Sequence, residues 1–171
     1  IGRTSLMAVI PILSTMGFNV CPLPTAILSN HSQYPDFSFL DLTEEMPRII
    51  DQWEKLGVTF DAIYTGYMGS PRQIEIVCGF IERFRTADTL VVVDPVLGDN
   101  GHLYSKMTQE MVEEMRRLAC RADVLTPNLT EAFALLDRPY KTDCTTEELK
   151  DLIAELSEMG PDTVIITGVP V

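Results

Sequence analysis

The sequence predicts an α/β fold, three layers deep, with helices on both faces of a mostly parallel central sheet. Three observations carry this. Short apolar runs rich in β-branched residues recur at Ala62–Tyr64, Leu90–Val93, Val124–Leu125 and Thr163–Ile166. Segments of helical periodicity with recognisable starts lie between them. Strand then helix, repeated, means a parallel sheet covered on both faces.

From the N-terminus, Arg3–Met16 is apolar enough for a helix despite Pro11. Asn19–Leu28 reads as a strand in which Pro22 and Pro24 suggest an edge or a bulge. Phe37–Leu42 alternates imperfectly and reads as a strand outside the main sheet. The helix Thr43–Leu56 follows, with Trp53 expected as a core anchor. Ser70-Pro71-Arg72-Gln73 opens a helix over Pro71–Phe84 with a capping Ser, a first-turn Pro and a Gln that can reach back. A further helix is expected over Thr108–Ala119. Asn128-Leu129-Thr130-Glu131 and Thr145-Thr146-Glu147-Glu148 repeat the capping logic ahead of helices over Leu129–Leu136 and Thr146–Met159. No repeat, low-complexity tract or Gly/Ser linker divides the chain, so a single domain over 1–171 is expected.

The chain has 171 residues, with 13 Lys and Arg against 25 Asp and Glu, a net charge of −12, and 46% hydrophobic residues. A chain of this size buries roughly 70% of the surface its unfolded form exposes, enough for a core without disulfides or metal. The charge repels phosphate backbones and acidic lipid, which speaks against nucleic-acid or membrane-surface binding. Apolar runs such as Leu90–Val93 fall far short of the ~20 residues that span a bilayer, and the start lacks a signal-peptide pattern, so a cytoplasmic location is expected. Cys21, Cys78, Cys120 and Cys144 are widely spaced and form no Cys-x-x-Cys pair. They read as buried free thiols.

In open parallel sheets, ligands bind beyond the carboxyl ends of the strands. The four runs end in Thr65-Gly66-Tyr67-Met68-Gly69-Ser70, Asp94-Pro95-Val96-Leu97-Gly98-Asp99-Asn100-Gly101, Thr126-Pro127-Asn128-Leu129-Thr130-Glu131 and Thr167-Gly168. Together they gather hydroxyls, carboxylates and backbone N–H groups on one rim, a combination suited to a magnesium-bound polyphosphate. Each part also has a purely structural reading. Asn128 and Glu131 form a capping box by spacing alone, Asp94 before Pro95 is a common strand end, and Asp99-Asn100-Gly101 is turn chemistry. Tyr67 and Tyr104 equally suit scaffold aromatics, and a lone His31 suits a surface loop. Neither a Gly-x-x-x-x-Gly-Lys-Ser/Thr loop nor a Gly-x-Gly-x-x-Gly fingerprint occurs.

These segments, with Val9-Ile10-Pro11-Ile12-Leu13-Ser14, Val20-Cys21-Pro22-Leu23-Pro24-Thr25 and Leu28-Ser29-Asn30-His31-Ser32-Gln33-Tyr34, make the chain resemble the pyridoxal (pyridoxine, pyridoxamine) kinases of the ribokinase-like superfamily over nearly its whole length. Asp-Pro-Val and Thr-Pro-Asn-x-x-Glu are shared across that superfamily. The Ser-Asn-His and Thr-Gly-Tyr segments make the likeness specific. The resemblance implies a ribokinase-like fold and transfer of the ATP γ-phosphoryl group to the 5′-hydroxyl of a B6 vitamer. Magnesium is implied as well, usually with a monovalent cation, K+ or Na+.

By the same resemblance, Ser32 and Gln33 lie beside the pyridoxal ring with His31 close by, and Tyr67 walls the pocket. Asp94, Tyr104, Thr126, Asn128, Glu131 and Thr167 are implied in ATP binding, and Asp94, Asp99 and Glu131 in holding the metal. Relatives form homodimers through the region that includes Phe37–Leu42. The family's catalytic Asp sits in a Gly-Thr-Gly-Asp segment that belongs downstream of Val171, and its first strand belongs before Ile1. The expectation is therefore an internal portion of a kinase, holding part of the pocket without its base. The competing readings are a hydroxymethylpyrimidine kinase of thiamine synthesis, a non-catalytic binding or dimerisation module, and a sugar or nucleoside kinase of the same fold. The Pro- and aromatic-rich stretch from Cys21 to Phe39 speaks against the last of these.

Overall fold

A computed structural model describes residues 5–30 and 36–169. Its contacts gather into two compact units, 1–58 and 59–171, a division that no linker announces in the sequence. The first unit holds α1 (Leu6–Thr15), β1 (Ala26–Leu28), β2 (Phe39–Asp41) and α2 (Glu45–Lys55). Helix α1 tolerates Pro11 and buries none of its residues. Strands β1 and β2 pair antiparallel, Ala26 opposite Asp41, in a two-stranded sheet of their own. The strand expected over Asn19–Leu28 is thus confined to its last three residues, beyond the reach of Pro22 and Pro24, where backbone donors are available for a ladder. On α2 the fully buried residues are Met46 and Ile50. Trp53 is only half-buried, which corrects its expected role as a core anchor.

The second unit carries β3 (Ala62–Thr65), α3 (Pro71–Phe84), β4 (Leu90–Val93), β5 (Gly98–Asp99), β6 (His102–Leu103), α4 (Gln109–Ala119), β7 (Val124–Leu125), α5 (Leu129–Leu135), α6 (Thr146–Glu158) and β8 (Thr163–Val164). Strands β3, β4, β7 and β8 form one parallel sheet in that order, with Ala62 opposite Leu90, Val92 opposite Val124 and Val124 opposite Thr163. The last expected strand ends at Val164, earlier than Ile166. Single main-chain bonds continue the pairing beyond it, from Ile165 N–H to Leu125 O and from Thr167 N–H to Pro127 O.

The caps do what their spacing predicts. Ser70 Oγ accepts from Gln73 N–H, and Thr108 Oγ1 from Met111 N–H. The Gln73 side chain reaches back one residue further, accepting from Gly69 N–H at 2.7 Å. Helix α3 turns Ile74, Val77, Cys78, Ile81 and Phe84 inward at helical spacing. Phe60, Phe80 and Phe84 interlock with ring centroids 4.9–5.4 Å apart. Arg116 on α4 donates to Leu135 O at 2.6 Å and Ala134 O at 3.0 Å, tying its side chain to the C-terminal end of α5.

Burial alternates along the sheet: Ile63, Val91, Val93 and Leu125 are buried, whereas Tyr64, Leu90 and Ile165 are about half exposed. One face of these four strands is therefore closed and the other is partly open within this chain. All four cysteines are free, but only Cys78 is buried; Cys21 and Cys120 are exposed and Cys144 is intermediate. Cys120 follows α4 as its C-cap, outside the inward stripe of that helix. No helix among the described residues is long and apolar enough to cross a membrane.

At the start of α6, Glu148 completes a capping box. Its Oε2 accepts from Thr145 N–H at 2.7 Å, and its Oε1 accepts from Lys141 Nζ at 2.6 Å. These bonds, that from Lys141 foremost, hold the carboxyl down at about 2. A carboxyl lowered by folding adds stability above its unfolded pKa and loses that contribution as pH falls toward the folded value. The urea midpoint of the wild-type protein should therefore fall more steeply from about pH 5 to about pH 2.5 than that of Glu148→Gln. Equal slopes would dismiss this cap as a source of acid sensitivity.

Candidate nucleotide and metal site

The carboxyl ends of the four parallel strands share one rim, tied together by main-chain bonds. Thr126 N–H donates to Val93 O at 2.9 Å, and Asn128 forms a parallel bridge with Thr167. The Thr126 and Thr167 hydroxyls lie 3.4 Å from the carbonyls of Val93 and Pro127, so both side chains remain at the rim. Pro127 cannot extend a ladder, and Asn128 directly after it opens α5.

Glu131 is the centre of the arrangement. It is 3% exposed. Its Oε2 accepts from Asn128 N–H at 2.8 Å, while Asn128 Oδ1 accepts from Glu131 N–H at 3.0 Å, completing the capping box. Its Oε1 accepts from Leu97 N–H at 3.1 Å, which a cap does not require. Asn128 Nδ2 also donates to Gly98 O at 2.8 Å. The two motif residues thus secure both their own helix and the segment that follows β4. Burial pushes the Glu131 carboxyl up to about 7, against the N–H groups of Asn128, Leu97 and Gly98, which favour its charge; nearby Asp94 adds to the rise.

Asp94 ends β4. Burial raises its carboxyl, and a hydrogen bond from Tyr64 opposes that rise. Tyr64 lies two residues back in register, since it pairs with Val92. Strands β5 and β6 form an antiparallel hairpin, Asp99 opposite His102, whose turn is Asn100-Gly101. Asp99 is exposed at the end of β5, accepting from the Asn100 N–H at 2.8 Å and from Asn100 Nδ2 at 3.1 Å. Tyr104 follows the hairpin, its N–H on Leu97 O at 3.0 Å. Its hydroxyl is pushed up first by burial, then by the charges of Asp99, Glu131 and Asp94. The three carboxylates named from the sequence therefore act on one phenol, although among the described residues no three His, Cys, Asp or Glu side chains converge into a metal-binding group.

Tyr67 sits apart from these carboxylates in sequence, in the turn after β3, half-buried and with its hydroxyl beside Gly69. His31, Ser32 and Gln33 lie outside the described residues. Sequence reasoning did not single out Tyr64, whose phenol answers Asp94, or Leu97, whose N–H answers Glu131. The period-two alternation of β3 carried a usable signal for Tyr64, because it places residues 62 and 64 on one face. The bond from Leu97 crosses 34 positions of sequence and has no local signature.

Similarity to known proteins agrees with this geometry. The phosphomethylpyrimidine kinase family model matches residues 38–171. A pyridoxal kinase of Arabidopsis thaliana is 31% identical over 169 residues, covering 96% of this chain and 53% of that protein. A solved Bacteroides thetaiotaomicron structure, under the name phosphomethylpyrimidine kinase and in a crystal form with pyridoxal, is 68% identical with a TM-score of 0.97, covering 99% of this chain and 59% of its own. A pyridoxal kinase of Leishmania donovani, in complex with ADP and pyridoxamine, is 28% identical with a TM-score of 0.87, covering 96% of this chain and 59% of its own. The chain spans about half the length of the curated relatives it matches. With the parallel sheet, the Asp-Pro and Asn-x-x-Glu rim and these matches in agreement, the chain belongs to the phosphomethylpyrimidine kinase family, a ribokinase-like family in which its matched relatives include pyridoxal kinases.

Proposed function

We propose that this protein works as an ATP-dependent kinase on the 5′-hydroxyl of pyridoxal, pyridoxine or pyridoxamine, and that residues 59–171 supply its nucleotide and metal side. The observation that carries the reading is the buried Glu131 carboxylate, which spends one oxygen on its own helix and the other on the segment after β4, beside Asp94. The matched relative crystallised with pyridoxal and the relative bound to ADP and pyridoxamine support the two substrates.

Phosphoryl transfer asks a protein mainly for positioning and charge neutralisation. Carboxylate oxygens fit a hard divalent cation, and magnesium characteristically takes one or two of them and completes its shell with phosphate oxygens and water. Asp99, Glu131 and Asp94 all act on the Tyr104 hydroxyl, which puts carboxylates of this kind near one point of the rim. Asp94 and Asp99 are the proposed direct ligands, and Glu131, with its oxygens on N–H groups, acts through water. When bound, magnesium neutralises charge on the transferring phosphates. Tyr64 on the neighbouring strand favours the charged form of Asp94. Thr126, Asn128, Thr167 and Tyr104 are assigned to the nucleotide. Ser32, Gln33, His31 and Tyr67 are assigned to the vitamer by resemblance. A monovalent cation and a homodimer rest on the same resemblance.

The test is ADP release by the protein made from its full reading frame, with the three vitamers and hydroxymethylpyrimidine as alternative acceptors. A B6 vitamer should be the best acceptor, and Asp94→Ala should cost about 10²–10³ in kcat, the loss seen when one electrostatic stabiliser is removed. Turnover of hydroxymethylpyrimidine alone would keep the phosphate site and overturn the vitamer assignment. No turnover with any acceptor would leave a binding module.

A further inference from the structure

A ribbon with two residues per strand holds little position of its own, so the β5–β6 hairpin must be placed by whatever grips it. At its root the grip is already described: Leu97 N–H on Glu131 and Gly98 O on Asn128. The tip is gripped separately. Asn100 and Gly101 both adopt positive φ, 51° and 79°, the two-residue turn whose twist suits a hairpin. The Gly101 N–H donates to Thr130 Oγ1 at 2.9 Å. Thr130 is buried, and its hydroxyl has no part in the capping box, which uses only Asn128 and Glu131.

On the same turn, the ring of Tyr140 stands against the Gly101 α-carbon so closely that a Cβ there would lie 2.5 Å from its Cδ1. Tyr140 is itself held, edge-on to Phe133 with centroids 5.9 Å apart and packed on the cluster of Leu129, Phe133 and Leu152. A buried hydroxyl on α5 and an anchored ring from the segment after it thus meet one turn, and this turn separates Asp99 from the strand that leads to Tyr104.

We propose that Thr130 and Tyr140 are positioning residues for the nucleotide: they hold the tip of the hairpin so that Asp99 and Tyr104 stay at the rim. Neither touches reacting atoms. The inference rests on the nucleotide reading of that rim.

The test uses the protein from its full reading frame and two readouts, amide hydrogen exchange over residues 98–103 and calorimetric affinities for magnesium-ATP and for pyridoxal. Thr130→Val keeps the shape and removes the acceptor, whereas Tyr140→Ala removes the ring. Each should speed exchange in the hairpin about tenfold and weaken magnesium-ATP about five- to tenfold, with pyridoxal affinity unchanged. Thr130→Ser and Tyr140→Phe should restore both readouts. Unchanged exchange in the hairpin, unchanged magnesium-ATP affinity, or an equal loss for both ligands with a lowered melting temperature would each overturn the proposal. If the wild-type protein itself binds no magnesium-ATP, the reading of the rim has failed and the proposal falls with it. If the wild type binds and the variants match it, the proposal alone has failed.

Discussion

Glu131→Ala should lower the melting temperature by about 6–12 °C, from roughly 3 kcal/mol of lost stability at the 2–4 °C per kcal/mol typical of a chain this long. The cost arises because the N–H groups of Asn128 and Leu97 lose their acceptor in a place water barely reaches; the carboxylate that serves them is 3% exposed. Leaving a buried donor unpaired costs more than a made hydrogen bond contributes. Glu131→Gln separates scaffold from charge. Its side chain has the same shape but only one acceptor oxygen, so one of the two N–H groups keeps its partner and the other meets the amide NH2. The Gln variant should therefore melt between the Ala variant and the wild type, yet lose about 10² or more in kcat, because it puts no charge beside the phosphates. Equal kcat in the Gln variant and the wild type would reduce Glu131 to a helix cap. An Ala variant as stable as the wild type would remove even that role.

Gly98→Ala should be the most damaging single-methyl change at the rim. A Cβ at this position would stand 2.3 Å from His102 O and 2.8 Å from the Leu103 α-carbon, both backbone atoms of the opposing strand. Backbone cannot rotate aside as a flexible side chain does, so the hairpin must open, and with it goes the bond from Asn128 Nδ2 to Gly98 O. Overpacking of this kind costs about 1–3 kcal/mol. The loss should appear both as a lowered melting temperature and as a weakened affinity for magnesium-ATP. Gly66→Ala is the control for the general cost of a methyl, since nothing lies within 4 Å of a Cβ there. Should the two variants melt alike, the close approach in the hairpin is relieved by some movement of little consequence.

What could be read from the chain follows the range of the forces involved. Helix α3 matches its expected bounds because Ser70, Pro71 and Gln73 act within one turn, and α5 and α6 depart from theirs by a single residue because their capping boxes are equally local. The Asp-Pro, Asn-x-x-Glu and Asn-Gly pieces were legible as pieces. Their assembly was not, since the bonds that join them, Leu97 to Glu131 and Gly101 to Thr130, link residues 34 and 29 positions apart. Exposure was the least legible property. Residue type predicts Trp53, Cys21 and Cys120 inward, but whether a large or apolar side chain is covered depends on which elements pack over it.

The order β3-β4-β7-β8 in space repeats the order in which the strands occur along the chain. Among the described residues, no strand of this sheet lies between two that precede it in the chain. During synthesis each newly emerged strand can dock on an edge left open by the one before, with its crossover helix closing over the seam as it follows. β4 offers that edge to β7, and β7 offers it to β8. Assembly of these four strands can therefore proceed in one direction as the chain lengthens, each strand adding to an edge already formed.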